Sequence, residues 1–290
     1  MITTFRNRLH RYMALPAVLL FTVFFLLPLC QGIGISLTDY NGIAPPRFIG
    51  LGNFLRFLRD ERAMHDIGNT LQFGLASAVL LNLFGLAYAL LFDGSTHGRR
   101  IGRTLVYMPA VISGLVMGYI WLMILSPQTG SLDRMLSQLG LSALYRDTLG
   151  DMSRAMGTII AVNVWQWVGG PMIIYLAGLQ AIPVELHEAA HMDGAGAIRC
   201  FRHITLPLLV PSIRINVVTN LIGSLGVFDV ITALTDGGPG YATESLSIFI
   251  YRNAYGGATG YATAVAVVLF LLVLVPVLFS LSLLKTDTTL

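Results

Sequence analysis

The sequence predicts an all-α membrane protein with six transmembrane helices, and composition is the first observation behind this prediction. Hydrophobic residues make up 55% of the 290 residues and charged residues only 11%, with a mean hydropathy of +0.72. Soluble domains carry about 25% charged residues. The second observation is that the apolar residues form six runs, and a helix of about 20 apolar residues crosses a bilayer. The predicted spans cover residues 15–37, 70–92, 105–125, 156–179, 208–234 and 261–284.

The first span follows a basic segment that contains Arg6, Arg8 and Arg11. Its apolar stretch runs past 20 residues and has no small-x-small cleavage site at its end. These features favour a retained span over a removed signal peptide. We expect the six spans and their loops to form one transmembrane domain over residues 1–290.

The loops between the spans predict the orientation of the chain. The first eleven residues contain three arginines and loop 93–103 also contains three, whereas loop 39–69 has four in a longer segment. Arginine-dense short loops remain in the cytoplasm. We therefore expect both termini and the polar loop 178–206 on the cytoplasmic side. This rule explains the net charge of +3, so no nucleic-acid partner is predicted.

The remaining loops contain short ordered elements. Segments 53–59 and 132–139 mix apolar and charged residues, which is typical of interfacial helices. The turn-forming residues Asp236–Gly240 follow the fifth span and predict a tight turn there.

Loop 178–206 is too polar for lipid and has its own internal pattern. Pro183 suits the start of a helix, Val184–Asp193 continues it, and Gly194 permits a sharp reversal before the next span begins at Pro207. The spacing EAA-x3-G-x9-I-x-L-P resembles the coupling loop through which the membrane subunits of bacterial ABC importers dock onto their ATPase. The residues that carry this resemblance are Glu188, Ala189, Ala190, Asp193, Gly194, Ile204, Leu206 and Pro207. An ordinary solvated helix with a glycine cap is the alternative.

Further segments resemble the maltose-type carbohydrate ABC importers, in particular the first of their two paired permeases. They are Ser36–Gly42, Phe48–Phe54, Asn69-Thr70, Phe228-Asp229 and Leu234–Pro239. The resemblance implies the type I permease fold of ABC importers in a bacterial cytoplasmic membrane. It also implies three kinds of partner: a homologous second permease in a heterodimer, two ATPase subunits, and an extracytoplasmic sugar-binding protein. The additional N-terminal spans and large external domain of the maltose protein are missing, so maltose itself is not predicted as the substrate.

ATP chemistry is expected to belong to the partners. The only lysine of the sequence, Lys285, lacks the preceding Gly-x4-Gly of a phosphate-binding loop. The chain is therefore predicted to be a transport subunit without enzymatic activity or a cofactor of its own, while the ATPase subunits bind ATP and Mg. An ion-coupled secondary transporter of a small polar solute is the alternative. Such carriers usually bury ionisable groups in mid-membrane, and here the spans contain little beyond Arg214 and Asp229.

Uncharged polar residues in the fourth and fifth spans are the candidates for substrate contact. Interhelical hydrogen bonding explains such residues equally well from the sequence alone. The resemblance to the maltose permease implies sugar contact along this path, and positions 170, 223 and 227 also match sugar-contacting positions. The predicted substrate-path residues are Asn163, Gln166, Trp167, Asn220 and Ser224. No metal site is predicted, because the spacing of the three histidines in loop 178–206 is weak evidence for one.

Overall fold

The computed structural model of the chain describes residues 15–127, 130–140 and 147–283, and these residues are mostly helical. Among them, β-pairing is limited to an isolated bridge between Thr38 and Phe48. The described residues form two compact units, one from residues 15–64 and 249–270 and the other from the described parts of 65–248 and residues 271–283. The helical content of the described residues agrees with the predicted all-α class.

The helices are numbered here in chain order. They are α1 (Leu15–Ser36), α2 (Gly52–Arg59), α3 (Glu61–Phe92), α4 (His97–Tyr107), α5 (Gly114–Leu125), α6 (Ser131–Gln138), α7 (Ala155–Trp167), α8 (Gly169–Gln180), α9 (Val184–Met192), α10 (Ala197–Leu208), α11 (Val210–Leu225), α12 (Asp229–Leu234), α13 (Leu246–Tyr255) and α14 (Thr259–Leu283). A short 3₁₀ turn, Met108–Val111, joins α4 to α5.

Three helices are individually long and apolar enough to cross a membrane. They are α1 with 22 residues, α3 with 32 and α14 with 25. The predicted spans 15–37, 70–92 and 261–284 coincide with them, apart from residue 284, which lies outside the described residues, and Leu37, which follows α1 as its C-cap. Helix α3 begins at Glu61, nine residues before the predicted start, because the polar residues that precede the apolar run continue the same helix.

Each of the other three predicted spans is formed by a bent pair of helices and not by one continuous helix. The bends measure 97° between His97–Val111 and α5, 45° between α7 and α8, and 65° between α10 and α11. Proline explains much of this, because it lacks the N–H of a helical hydrogen bond and its ring collides with the preceding turn. Pro109 lies in the 3₁₀ turn before α5, and Pro171 and Pro211 lie in the first turns of α8 and α11. Helix α5 alone is about 18 Å long, which is shorter than the hydrocarbon core of about 30 Å.

The predicted fifth span, residues 208–234, does not continue as one helix to its far end. Helix α11 stops at Leu225, and after Gly226 the chain turns into the separate helix α12. Helix α12 packs closely on α5: a Cβ placed on Gly118 would lie only 2.5 Å from the Cβ of Ala233. The contact with α5 therefore accompanies a helix break that the predicted span 208–234 does not contain.

Helices α2 and α6 are present where interfacial helices were predicted. In the first unit, the Asn53 side-chain amide at the start of α2 donates to the carbonyl oxygens of Ser36 and Thr38, each at 2.8 Å. The Arg56 guanidinium lies 4.0 Å from the ring centroid of Tyr261, whose hydroxyl donates to Asp60 at 2.8 Å. These contacts tie the end of α1 and the start of α14 to α2.

The core of the second unit surrounds α7 and α12. Phe73, Ile159, Ile231 and Ile248 are almost completely buried in one apolar cluster. Burying such side chains contributes about 1.5–3 kcal/mol each. Close packing holds the neighbouring helices in place, since a Cβ on Gly74 would overlap the side chain of Leu225. This core fixes the positions of α7, α8, α11 and α12 around a cavity.

Candidate functional site

The cavity lies where the bend between α7 and α8 faces α11 and the start of α12. Its volume is about 550 Å³. Glycines and apolar side chains form much of its wall: Leu81, Gly114, Trp167, Gly170, Pro171, Ile174, Gly223, Gly226, Val227, Phe228 and Val230. Polar side chains also line it: Asn163, Asn216, Thr219, Asn220, Ser224 and Asp229.

Four of the five predicted substrate-path residues line this cavity: Asn163, Trp167, Asn220 and Ser224. Residues four apart lie on one helical face, so each pair, 163 with 167 and 220 with 224, points in one direction. The matched positions Gly170, Gly223 and Val227 line the cavity as well. The structure therefore brings together residues from two spans that are more than 50 positions apart.

Gln166 is the exception, because it does not line this cavity. Its side chain is fully buried and is absent from the cavity wall. Its Nε2 donates to the carbonyl oxygen of Ile112 at 3.0 Å, in the turn before α5. Adjacent helical residues are about 100° apart around the axis, so Gln166 points away from the face that Trp167 presents.

Asn216 and Asn220, one helical turn apart, use their amides differently. The Nδ2 of Asn216 donates to the carbonyl oxygen of Pro171 at 3.2 Å and so links α11 to the bend of α8. The Nδ2 of Asn220 is buried but has no hydrogen-bond partner among the described residues. Because Asn220 lines the cavity and its Nδ2 is not engaged by another protein group, rotation of its side chain can offer an amide group to a ligand.

Sequence reasoning left Gly114 and Asp229 out of the predicted site. Both line the cavity, together with Trp167, of which 42% is exposed. Asp229 had a detectable signal, because an acidic residue near the end of an apolar run is unusual. Gly114 had no such signal, since only the 97° bend before α5 brings it to the wall. The set provides neutral donors and acceptors, one carboxylate and an indole face, which suits a small polyhydroxylated molecule.

The polar segment 178–206 forms a second candidate surface. Helix α9 spans Val184–Met192 and ends one residue before the predicted end, Asp193, which is the C-cap. Gly194 has a φ of +76°, and the N–H groups of Ala195 and Gly194 donate to the carbonyl oxygens of Ala190 and His191 at 2.9 and 3.0 Å. This is the Schellman arrangement, which satisfies the last carbonyls of a helix. The predicted role of Gly194 in a sharp reversal agrees with this geometry.

The motif residues divide between two helices. Glu188, Ala189, Asp193 and Gly194 are exposed on or just after α9, and Ala190 is half-buried. Ile204, Leu206 and Pro207 belong to α10, where the first two are half-buried and the third is exposed. Two neighbouring residues that sequence reasoning missed are strongly exposed, Met192 at 88% and Ile198 at 85%. Large apolar side chains exposed outside the predicted spans are typical of a protein-binding surface.

Comparison with known proteins gives one family match and several full-length relatives. Residues 81–285 match the family described as binding-protein-dependent transport system inner membrane component. The probable ABC transporter permease protein YurN of Bacillus subtilis (strain 168) is 35% identical over 97% of this chain and 98% of its own. The trehalose/maltose transport system permease protein MalF of Thermococcus litoralis is 34% identical over 92% of this chain and 90% of its own.

Solved structures agree with the fold. A crystal structure of a bacterial ABC transporter that imports the acidic polysaccharide alginate contains a chain with 29% identity and a TM-score of 0.79, covering 98% of this chain and 97% of that one. A second crystal structure shows a bacterial alginate ABC transporter in complex with its alginate pentasaccharide-bound periplasmic protein. One of its chains is 28% identical with a TM-score of 0.80, and the match covers 98% of this chain and 96% of that one.

Proposed function

Because this chain belongs to the binding-protein-dependent transport system inner membrane components, the permease subunits of ABC importers, we propose that it carries a sugar or related carbohydrate into the cell. In this proposal it is one membrane-spanning subunit of an ATP-driven complex in a bacterial cytoplasmic membrane. Relatives named for trehalose, maltose and alginate transport support a carbohydrate substrate.

The cavity is the observation that carries this proposal. Asn163, Asn220 and Ser224 supply uncharged groups for sugar hydroxyls, and Trp167 offers a half-exposed indole for the C–H face of the ring. The cavity lies at the bends of two predicted spans, where the backbone departs from straight helices. In many transporters, the residues that bind substrate lie at such discontinuous helices near the membrane midplane.

Helix α9 is the proposed coupling helix. Its exposed Glu188 can accept a charge-assisted hydrogen bond from an arginine of an ATPase subunit, and Ala189 allows close approach. Met192 and Ile198 add apolar contact area beside it. ATP and Mg bind to two partner ATPase subunits, whose closure moves this helix and the spans attached to it.

The remaining architecture follows from the same proposal. The three long helices and three bent pairs form six spans, with both termini and α9 in the cytoplasm. A homologous second permease completes the transport path as a heterodimer. An extracytoplasmic sugar-binding protein delivers the substrate, in keeping with the periplasmic protein bound to the related alginate transporter.

An uptake assay in proteoliposomes that contain the complete complex tests this function. Uptake of radiolabelled sugars should require ATP on the side that exposes Glu188, and it should continue after ionophores have removed proton and sodium gradients. Proteoliposomes with ADP in place of ATP are the control. Uptake by this chain alone, driven by an ion gradient, would overturn the proposal in favour of a secondary transporter.

A further inference from the structure

Among the described residues, Asp229 is the one ionisable residue in the cavity wall. The other lining residues are uncharged, and no arginine, lysine or histidine is among them. The Asp229 side chain is exposed to the cavity at the start of α12. The wall that this chain contributes is therefore neutral except for one negative charge.

No cation of the described residues neutralises this carboxylate. Within residues 15–127, 130–140 and 147–283, no hydrogen bond or salt bridge engages the Asp229 side chain. Arg214 is the basic residue of α11, but it lines a second groove, which shares only Thr219 with the cavity. It precedes the end of α11 by eleven residues, which is about 16 Å along the helix axis.

Asp229 also lies next to the aromatic surface of the cavity. A Cβ placed on Gly114 would lie 3.5 Å from the Cβ of Asp229, 3.6 Å from its Oδ2 and 3.8 Å from Cζ2 of Trp167. The carboxylate and the indole therefore flank Gly114 on the same part of the cavity wall, and both face the cavity of about 550 Å³. A sugar ring in the cavity can stack on Trp167 while a hydroxyl donates to Asp229.

We propose that Asp229 sets the charge selectivity of the cavity, so that it accepts uncharged sugars and rejects those that carry a carboxylate or phosphate. This inference rests on the proposed function and narrows its substrate class. At an effective dielectric constant of about 20, two like charges about 7 Å apart repel enough to lower affinity by a factor of ten or more. A hydroxyl at the same place gains a hydrogen bond to a charged acceptor instead.

Matched pairs of ligands isolate the effect of charge. Glucose, galactose and mannose are each compared with the uronate of the same ring, in which a carboxylate replaces the C6 hydroxymethyl group. Saturation-transfer difference NMR measures their binding to the purified membrane complex without the external binding protein, so that the selectivity of that protein does not enter. In at least one pair, the hexose should bind at least tenfold more tightly than its uronate.

Three variants assign this difference to Asp229. Asp229→Asn removes the charge with little change in shape. It should lower the ratio of the uronate Kd to the hexose Kd to threefold or less. Asp229→Glu keeps the charge and should keep the ratio. Asp133→Asn is the matched control: it makes the same charge change on α6, outside the cavity wall, and should leave the ratio unchanged.

The outcomes separate this inference from the proposed function. Equal binding of hexoses and uronates by the wild-type complex, or an unchanged ratio in Asp229→Asn, overturns the role of Asp229 while sugar transport stands. Absence of binding by every hexose also overturns the inference, whereas only failure of ATP-driven sugar uptake overturns the proposed function. If Asp229→Asn does not assemble, the salt dependence of binding by the wild-type complex tests the inference. The ratio of the uronate Kd to the hexose Kd should fall at least threefold between low and high ionic strength, because salt screens charge repulsion. A ratio that does not change with salt contradicts the inference.

Discussion

At the scale of single residues, the amides of the cavity region separate into those that hold the fold and those that are available to a ligand. Gln166 donates to the carbonyl oxygen of Ile112, and Asn216 donates to that of Pro171. Asn220 has a buried Nδ2 without a partner among the described residues. This difference in hydrogen bonding predicts different consequences of substitution.

Replacing Asn220 by alanine should weaken sugar transport without weakening the fold. The lost hydrogen bond to an uncharged substrate costs about 0.5–1.5 kcal/mol, which lowers transport about twofold to tenfold. Initial uptake rates at subsaturating sugar and the melting temperature of the purified complex measure the two effects. The melting temperature should stay at the wild-type value.

Gln166→Ala provides the comparison, because it removes a fully buried side chain and its hydrogen bond to the partly buried carbonyl oxygen of Ile112. The lost hydrogen bond costs about 0.5–1.5 kcal/mol, and the space that the side chain leaves adds to this cost. This variant should therefore lower the melting temperature while sugar affinity in the assembled complex is kept. The opposite pattern, an unstable Asn220→Ala and a stable Gln166→Ala with weak sugar binding, would show that the two residues have been assigned the wrong roles.

At the scale of elements, α9 is a short helix whose two ends are defined by local chemistry. Pro183 is its N-cap residue and Gly194 terminates it with a positive φ. With nine residues it is too short to be stable in isolation in water, so its surroundings must support it. A helix of this kind with exposed Met192 and Ile198 beside it is suited to dock on a partner.

The docking role predicts a specific effect of Glu188→Ala. Loss of the charged acceptor should reduce co-purification of the ATPase subunits or uncouple ATP hydrolysis from sugar uptake. Charge-assisted hydrogen bonds contribute about 1.5–3 kcal/mol, so a tenfold or larger loss of transport is expected. Co-purification, ATP hydrolysis and uptake are measured on the same preparation.

Glu185→Ala is the control for this experiment, since it removes the same charge from the same helix one turn earlier. It should have a smaller effect than Glu188→Ala. If both variants behave like the wild type, α9 does not dock through Glu188. If both lose transport equally, overall negative charge explains the effect and the motif position does not.

At the scale of the whole molecule, the arrangement of long helices and bent pairs predicts the sidedness of two exposed sites. Met192 follows the fourth span, and Tyr241 lies in the turn after the fifth. The proposed six crossings with cytoplasmic termini would place these two residues on opposite faces of the membrane. Both are exposed, at 88% and 47%, so a cysteine at either position is accessible to a reagent.

Cysteine labelling measures this topology. In a background with Cys30 and Cys200 replaced by serine, Met192→Cys should react with a membrane-impermeant maleimide only from the cytoplasmic side, and Tyr241→Cys only from the outside. Phe24→Cys in α1 is the control, because an exposed side chain of an apolar span faces lipid and should react from neither side. Labelling of residues 192 and 241 from the same side would contradict the six-span arrangement.

The amino-acid sequence by itself determined the features that depend on nearby residues. Apolar runs predicted the three long helices, because one helix satisfies its own backbone hydrogen bonds and requires only an apolar environment. Pro183 and Gly194 predicted both ends of α9 to within one residue, because capping acts within a single turn. The polar positions 163, 167, 220 and 224 were recognisable for the same reason, since their four-residue spacing places each pair on one helical face.

Only the tertiary structure decided where the helices break and which side chains face the cavity. The bend before α8 places Gly169 so close to the backbone of Tyr107 that a Cβ would lie 2.6 Å from its Cα, and the break before α12 depends on Gly118 and Ala233 meeting. Such contacts join residues more than 60 positions apart, and an apolar run has the same appearance with or without them. For the same reason Gln166 could not be separated from Asn163, and Gly114 could not be placed beside Asp229 and Trp167, until the packing of α5, α7 and α12 was known.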